Sequence, residues 1–261
     1  ASGLGPSEEH PKTKPFEAPA DCEFARNAVW FRKAFAVEPK PVKRATLTVA
    51  SPCFATPWLD GAPVDPTRIL TPAVTDFKRH VNEDAYDVTA RMSAGDHAVG
   101  LWLAPGYATD TGYLSAWWRW TKPKCVRAEL TVEYADGSRT VGGTDTDWQY
   151  RERTPVVRAS IYHGETYDAR LDDPNWCRTG GGNAGWVAAR KAVVAPTAPV
   201  VRTPVPAIRL RDPLKPVSVT KVGEGRFVFD FGLNRAAVPE VRVRGARGTK
   251  VTIRTAGEIH P

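Results

Sequence analysis

The sequence predicts an all-β fold, a jelly-roll β-sandwich followed by a second, smaller β-sandwich unit. Proline (23 residues) and glycine (21) are abundant in the 261-residue chain, and both interrupt helices. Apolar and polar residues alternate in short runs that are separated by turn sequences. With 42% hydrophobic residues and nine tryptophans, the chain can bury a substantial core.

The first strands follow a polar, proline-rich leader that is predicted to be flexible at residues 1–22. In "NAVWFRKAFAVE" the side chains alternate from Trp30 onward, as they do in a half-buried strand. The dipeptide Asp60-Gly61 then predicts a hairpin turn between two extended segments. Further on, Thr89 is predicted to cap one helical turn that ends at Gly95.

The clearest hairpin is predicted in "CVRAELTVEYADGSRTVGG". Four apolar residues alternate with polar ones before an Asp136-Gly137 turn: Ala128, Leu130, Val132 and Tyr134. This hairpin belongs to a first domain, a jelly-roll β-sandwich that is expected at residues 23–195.

Six prolines fall between residues 196 and 216. Such a stretch forms neither a helix nor a central strand, so it is either a linker or a crossover along a sheet edge. We assign residues 196–213 as a proline-rich linker. The glycine-punctuated segments of residues 214–261 predict four or five short strands of a second unit that is incomplete.

Charge and cysteine content limit the functional classes. The net charge is +7, which suits an acidic partner, but no dense basic block or nucleic-acid motif occurs, so we expect no nucleic-acid partner. No apolar run approaches the ~20 residues that span a bilayer, so we expect no membrane partner. The four cysteines lack zinc spacing and fit either disulfides or buried thiols. A secreted or periplasmic location is the expectation.

A compact charged motif, "GETYDAR", brings together Glu165, Asp168 and Arg170. Residues three apart on a strand point to opposite faces and lie ~10 Å apart along it, whereas glycosidase carboxyl pairs stand about 5–9.5 Å apart across one bond. We therefore assign no catalytic residues. Arg170 is expected to form a fork with a carboxylate or with loop carbonyls, and contact of Glu165 or Asp168 with sugar stays an alternative.

The aromatic run "AWWRW" is a second candidate site. Alternation places Trp118 and Trp120 on one face, with Arg119 on the other. Indole faces stack on the apolar faces of sugar rings, and an arginine can bind a uronate carboxylate. We expect these three residues to contact carbohydrate.

Several fragments in order resemble the N-terminal accessory modules of bacterial α-L-rhamnosidases. They span about residues 25–258 and are "VWFRKAF", "LDGAPV", "YDVTARMSAGDHAVGLWLAPGY", "VEYADGSR", "DTDWQ", "SIYHGETYDAR", "WCRTGGGNAGWVAA", "LKPVSVTKVGEGRFVFDFGLN" and "VRVRGARGTKVTIRTAGE". The resemblance implies a rhamnose-binding, calcium-dependent β-sandwich. It also implies a β domain that precedes a catalytic (α/α)6 barrel, which this sequence does not include.

In that family the binding loops lie at one end of the sandwich, and the resemblance adds Asp76 and Tyr107 to the candidate sugar contacts. Asp76 is also the candidate calcium ligand. Calcium takes six to eight oxygen ligands, and Lys122 and Lys124 near these loops oppose it electrostatically. Calcium is thus the one cofactor that the resemblance allows, and none is certain.

Three functions remain open. The first is non-catalytic binding of a rhamnose-containing polysaccharide, with an acidic, pectic polymer favoured by the basic charge. The second is a purely structural role beside the catalytic domain of an α-L-rhamnosidase, a glycoside hydrolase active in polysaccharide degradation. The third is protein interaction or adhesion.

Overall fold

The computed structural model of the chain describes residues 27–77, 79–107, 124–161, 164–192 and 198–257. Within these ranges the regular structure is β-strand apart from two 3₁₀ turns, Thr89–Arg91 and Ala169–Leu171. The all-β prediction is confirmed. A search of the same ranges finds no helix with the length and apolar character needed to cross a membrane. Contacts divide the chain into two compact units, Ala1–Leu210 and Arg211–Pro261.

The strands are numbered in chain order. They are β1 (Val29–Val37), β2 (Val42–Ala50), β3 (Phe54–Leu59), β4 (Ala62–Pro63), β5 (Val81–Asp87), β6 (Gly95–Ala104), β7 (Arg127–Tyr134), β8 (Arg139–Gly143), β9 (Gln149–Arg151), β10 (Val156–Ser160), β11 (Gly164–Tyr167), β12 (Val187–Ala188), β13 (Val200–Arg202), β14 (Ser218–Gly223) and β15 (Arg226–Asp230).

Two sheets form the first unit. The six-stranded sheet has the order β12-β9-β1-β6-β3-β4, and the five-stranded sheet has the order β13-β5-β2-β7-β8. Their facing sides enclose one apolar core, to which both contribute: Ala55, Leu59, Val99, Leu101 and Leu103 from the first, and Ala45, Leu47, Val49, Leu130, Val132 and Tyr134 from the second. The unit is therefore a β-sandwich.

The predicted hairpins are present. Strands β7 and β8 pair around Gly137, whose φ of 84° is in the left-handed region. At the β3–β4 turn, Asp60 and Gly61 both have positive φ (49° and 82°), as a tight hairpin turn requires. The predicted capping role of Thr89 is wrong in detail. Val88 precedes the 3₁₀ turn without a side-chain cap, and the Thr89 hydroxyl instead donates to Asp87 at 2.6 Å.

The proline-rich stretch runs along the edge of the five-stranded sheet. Its residues 200–202 form β13, which pairs in parallel with β5. Further on, the amide of Ile69 donates to the Ile208 carbonyl at 3.0 Å, and that of Leu210 donates to the Thr67 carbonyl at 2.7 Å. Residues 200–210 thus pair with the first unit along a sheet edge and do not form the linker assigned above. Proline is tolerated at an edge because few backbone amides have to donate hydrogen bonds there.

The second unit contains one hairpin, β14–β15, in the residues described. The expectation of four or five strands is wrong for this range. Residues 236–256 have the alternating pattern of strands, but Val238, Val243 and Val251 are more than half exposed and form no ladder there. Alternation predicts that a segment suits a sheet, whereas a strand also needs a neighbour to accept its backbone hydrogen bonds.

A second core covers the outer face of the six-stranded sheet. We call it the tryptophan cluster: Trp30, Trp58, Trp102, Trp176 and Trp186, with Ala98 and Cys177. The rings of Trp30 and Trp176 stack with centroids 4.9 Å apart and planes 6° apart. Trp176 and Trp186 come from a cover loop, residues 172–186, that lies on strands β1 and β6.

Gly100 of β6 makes room for the cover loop. A Cβ at this position would lie 2.6 Å from the Cys177 Sγ and 2.6 Å from two ring atoms of Trp176. Cys177 is a buried thiol, and burial raises its pKa to about 12. Cys125 is also a thiol in this structure. The sequence left disulfides and buried thiols open for the cysteines, and Cys125 and Cys177 are thiols.

Arg32 of β1 binds the cover loop from the side that faces the sheet. Its side chain is buried, and its Nη2 donates to the carbonyl of Gly182 at 2.9 Å and to Asn183 Oδ1 at 2.7 Å. Its Nη1 donates to the Trp176 carbonyl at 3.3 Å, and its guanidinium lies 4.0 Å from the ring centroid of Trp186. One side chain thus contacts both ends of the loop.

At the end of the sandwich where β3 turns into β4, His97 is held between two acceptors. Its Nδ1 lies 2.7 Å from Asp60 Oδ2 and its Nε2 lies 2.9 Å from the Ser93 carbonyl. Both contacts are hydrogen bonds only when the ring carries two protons. Burial lowers the pKa of His97, but the two hydrogen bonds and the charges of Asp60 and Asp96 together raise it above the ordinary value.

We expect the substitution Gly100→Ala to destabilise the first unit by about 1–3 kcal/mol, because the new methyl group overlaps Trp176 and Cys177. Denaturant unfolding followed by tryptophan fluorescence measures this change. Gly143→Ala is the matched control, since its Cβ would meet only the Ala128 carbonyl at 3.7 Å. Equal stability of the two variants would contradict the packing argument.

We expect His97→Gln to change how the free energy of unfolding depends on pH. A raised folded-state pKa contributes stability that is fully present below the unfolded pKa of about 6.5 and is lost as pH rises through the folded pKa. The advantage of the wild type over the variant should therefore shrink from pH 6 to pH 9. Urea unfolding at intervals across this range tests it, and an advantage that grows with pH would disprove it.

Candidate carbohydrate-binding site

Several connections meet at the end of the first unit opposite the β3–β4 turn, which we call the loop end. Here β6 ends opposite the start of β3, since Ala104 pairs with Phe54. The end of β2 pairs with the starts of both β5 and β7, since Ala50 lies opposite Glu83 and Arg127. The connections that precede β5, follow β6 and precede β7 therefore share one end of the sandwich.

The predicted aromatic contacts Trp118, Arg119 and Trp120 lie outside the described residues. They belong to the connection between β6 and β7, whose described ends, Tyr107 and Lys124, lie at the loop end. Of the candidate contacts near these ends, the structure describes Asp76 and Tyr107.

Tyr107 is half-buried at the start of that connection. Its ring packs edge-on against Phe54, with centroids 5.9 Å apart and planes at 76°. The preceding Gly106 lies so close to β3 that a Cβ would be 2.8 Å from the Phe54 nitrogen and 2.9 Å from the Cys53 carbonyl carbon. The origin of the connection is thus fixed against the sheet by close backbone packing.

The return of the connection is anchored as well. Lys124 Nζ lies 3.4 Å from Asn27 Oδ1, and burial lowers the pKa of this lysine to about 8. The residue after Lys124, Cys125, is bound to the segment before β3 through Ser51. The Ser51 hydroxyl donates to the Cys125 carbonyl at 2.7 Å and accepts from the Cys53 amide at 3.0 Å. Both ends of the connection therefore rest on ordered parts of the sandwich.

Asp76 lies half-buried in the segment before β5. Its backbone carbonyl accepts from the amides of Arg79 and His80 at 2.8 and 3.0 Å, and its carboxylate lies 3.5 Å from Arg79 Nε. The His80 ring is in turn 2.5 Å from the Thr75 hydroxyl. These contacts define a turn that presents Asp76 beside a cation.

Calcium does not fit the residues described at this end. No group of three or more His, Cys, Asp or Glu side chains in the described ranges is placed to hold a metal ion. The carboxylate of Asp76 already faces the guanidinium of Arg79. Calcium would need several further oxygens around Asp76, so we derive no step of binding through it.

The motif that contains Glu165 and Asp168 forms a separate hairpin, β10–β11. It starts beside β1, because the amide of Ala28 donates to the Val156 carbonyl at 2.9 Å and Val156 pairs with Tyr167. Since β1 begins at the loop end, this hairpin belongs to that end too. Glu165 is exposed opposite Ala159, and partial desolvation raises its pKa.

Asp168 follows the hairpin and is engaged locally. Arg170 forms the expected fork, with Nε donating to Oδ1 at 2.8 Å and Nη2 donating to Oδ2 at 2.6 Å. The Arg170 amide also donates to Oδ1 at 3.1 Å, so Asp168 caps the following 3₁₀ turn. These bonds with Arg170 lower the pKa of Asp168 to about 2. Glu165 and Asp168 thus occupy different elements and form no acid–base pair with each other.

The cover loop forms a pocket on the outer face of the six-stranded sheet that was not predicted from the sequence. We call it the glycine-loop pocket; its volume is about 190 Å³, and it is lined by Asn175, Arg178, Thr179, Gly180, Gly181 and Gly182. The signal present in the sequence was the tripeptide Gly180–Gly182 between Trp176 and Trp186. Its contact partner Arg32 is about 150 positions away, which no local pattern reveals.

Comparisons with known proteins place both units. Residues 40–212 match the α-L-rhamnosidase N-terminal domain, and residues 220–261 match the bacterial α-L-rhamnosidase concanavalin-like domain. The α-L-rhamnosidase of Streptomyces avermitilis is 32% identical over 231 residues, 88% of this chain and 22% of that protein. One from Alteromonas sp. is 26% identical, again over 88% of this chain and over 25% of its own length.

Solved structures agree with these matches. The S. avermitilis α-L-rhamnosidase complexed with L-rhamnose superposes with a TM-score of 0.69 at 31% identity, over 80% of this chain and 20% of that one. The enzyme from Dictyoglumus thermophilum gives 0.68 at 28% identity, over 80% and 22%. The chain thus spans a quarter or less of the length of these relatives. Because the N-terminal domain match covers well over half of its residues, the chain belongs to the α-L-rhamnosidase family.

Proposed function

We propose that this chain is a non-catalytic carbohydrate-binding region of an α-L-rhamnosidase, and that its first unit binds a rhamnose-containing polysaccharide at the loop end. The observation that carries the proposal is the convergence of the candidate contacts. Asp76, Tyr107 and Lys124, which begins the described return from the β6–β7 connection, share this end, and the β10–β11 hairpin with Glu165 begins there. That a family relative was solved in complex with L-rhamnose supports rhamnose as the sugar class of this proposal.

The chemistry of these residues suits a sugar. Aromatic rings stack on the apolar faces of pyranoses, while carboxylates accept hydrogen bonds from hydroxyl groups. Tyr107 is held at the rim by Phe54 and Gly106, so little side-chain entropy is lost when a ligand packs on it. In this proposal Trp118 and Trp120 provide further stacking, Arg119 and Glu165 provide polar contacts, and Asp168 caps the 3₁₀ turn that follows the hairpin.

Each contact between a protein and a single sugar residue is weak. Such binding is useful because it raises the effective concentration of a linked domain near the polymer. A module that binds the polymer keeps a linked catalytic domain close to its bonds. Because polysaccharides are encountered outside the cytoplasm, we propose an extracytoplasmic location as well.

A second candidate function, structural support of a catalytic domain, is favoured by the second unit. Five odd-numbered apolar residues share one face of the β14–β15 hairpin, because Val219 lies opposite Phe229 and the strands alternate: Val217, Val219, Phe227, Phe229 and Phe231. They are 42–70% exposed. A two-stranded hairpin is marginal alone and is stabilised when such a face packs on another element.

We expect Tyr107→Ala to weaken the binding of L-rhamnose at least fivefold, since the ring is removed from the rim of the loop end. Isothermal titration with L-rhamnose and with rhamnogalacturonan oligosaccharides measures it. Phe229→Ala is the control, because it also removes an exposed aromatic ring but from the second unit.

Because the described residues do not fit calcium, a chelator should leave the affinity of the wild type unchanged. The absence of heat for any of these sugars would reject binding at the loop end. Hydrolysis of a rhamnoside by this chain would contradict its non-catalytic role.

A further inference from the structure

The glycine-loop pocket is built around positive charge. Arg178 is exposed on its rim, and its side chain lies across the β3–β4 turn, where a Cβ at Gly61 would be 2.6 Å from Arg178 Nε. On the inner side, the guanidinium of Arg32 approaches the loop backbone directly. A Cβ at Gly181 would be only 3.0 Å from Arg32 Nη1 and 2.6 Å from the Asn175 carbonyl.

The buried cation behind this pocket is balanced mainly by neutral oxygens. Arg32 donates to Gln149 Oε1 at 3.3 Å as well as to the acceptors of the cover loop. Its pKa is lowered by burial and raised in part by the charge of Asp173. That carboxylate is already bound to Arg151 at 3.1 Å and accepts from the Asn175 amide at 3.0 Å.

The field of such a cation reaches into the pocket. Burial removes the water that would screen Arg32, so its charge acts more strongly across the thin glycine backbone than it would at the surface. Arg178 adds a second positive charge at the pocket, and a guanidinium can donate two parallel hydrogen bonds to one carboxylate. In the described residues, the side chains that line the pocket include no carboxylate. The complementary ligand is an anion.

The dimensions limit the ligand to one small group. A volume of about 190 Å³ is below the roughly 300–1,000 Å³ of pockets for drug-sized ligands. Asn175 and Thr179 add an amide and a hydroxyl, which pair with neutral hydroxyl groups rather than with charge. One planar anionic group attached to a hydroxyl-rich ring satisfies both sets of partners.

We propose that the glycine-loop pocket binds the carboxylate of a uronic acid residue, with Arg178 as its direct partner and Arg32 as the buried charge behind it. The inference extends the proposed function, on which it rests for the nature of the polymer: the loop end recognises rhamnose, and this pocket, on the outer face of the six-stranded sheet, selects acidic polysaccharides.

The test compares D-galacturonate with D-galactose on the full 261-residue chain by isothermal titration and NMR. The wild type should bind galacturonate at least fivefold more tightly than galactose, and added sodium chloride should reduce this preference. Arg178→Gln should abolish the preference. Arg190→Gln, at an exposed arginine outside the pocket, should retain it.

A second variant distinguishes a lost binding contact from misfolding of the Arg178→Gln variant. A Cβ at Gly182 meets nothing within 4 Å, so Gly182→Ala adds a methyl group at the pocket without a clash and should weaken galacturonate binding. Equal affinity of the wild type for both sugars, or unchanged galacturonate binding by Arg178→Gln, would overturn the proposal. Sulfate binding as tightly as galacturonate would overturn the assignment to a sugar.

L-rhamnose is titrated into the same variants to separate the two proposals. Unchanged rhamnose affinity in Arg178→Gln is the expected result, because the loop end is a different site. Galacturonate preference without any rhamnose binding would reject the function proposed for the loop end and leave the glycine-loop pocket supported.

Discussion

The outer half of the first unit depends on the contacts of one buried guanidinium. Arg32 extends from β1 to carbonyls at both ends of the cover loop and stacks on Trp186. Arginine suits this position because its donors point in fixed directions while its flat face packs on an indole. The cover loop contains no strand or helix among its described residues, so its shape follows from these bonds and from Gly181, where a side chain would displace Arg32. Without Arg32, the Trp176 backbone would lose the hydrogen bond that holds its carbonyl while its ring stacks on Trp30.

What the sequence predicted well is local. The Asp60-Gly61 and Asp136-Gly137 turns and the alternation from Ala128 to Tyr134 are determined by neighbouring residues, and the structure confirms them. What it did not predict depends on contacts between distant segments. The tryptophan cluster joins residues from four parts of the chain, and nothing in the surroundings of Trp30 or Trp102 distinguishes a second core from an exposed aromatic. In the same way, alternation in residues 236–256 predicted strands, whereas a strand forms only beside a partner.

The candidate site shows the same division. Strand parity was not what separated Glu165 from Asp168, because Asp168 lies after the strand as the cap of a 3₁₀ turn, whereas the fork of Arg170 followed from having a cation two residues from a carboxylate. The assembly of the loop end could not be derived from residue types, because it depends on which strands are neighbours. Asp76 and Tyr107 reach the same end only because β5 and β7 flank β2 while β6 pairs with β3. The resemblance to rhamnosidase modules supplied this grouping where the physical pattern of the sequence did not.

The two units differ in how much of their apolar surface they bury. The first buries two cores and packs Gly106, at the start of one loop-end connection, closely against β3, so Tyr107 beside it has a rigid support. The second leaves the large apolar side chains of β14 and β15 exposed on one face, which costs stability for every methylene kept in water. Rigid support suits recognition of a shallow ligand such as a sugar, because little ordering entropy is lost on binding. An uncovered apolar face suits docking to protein. In the proposed function, carbohydrate recognition therefore belongs to the first unit, and support of a catalytic domain belongs to the second.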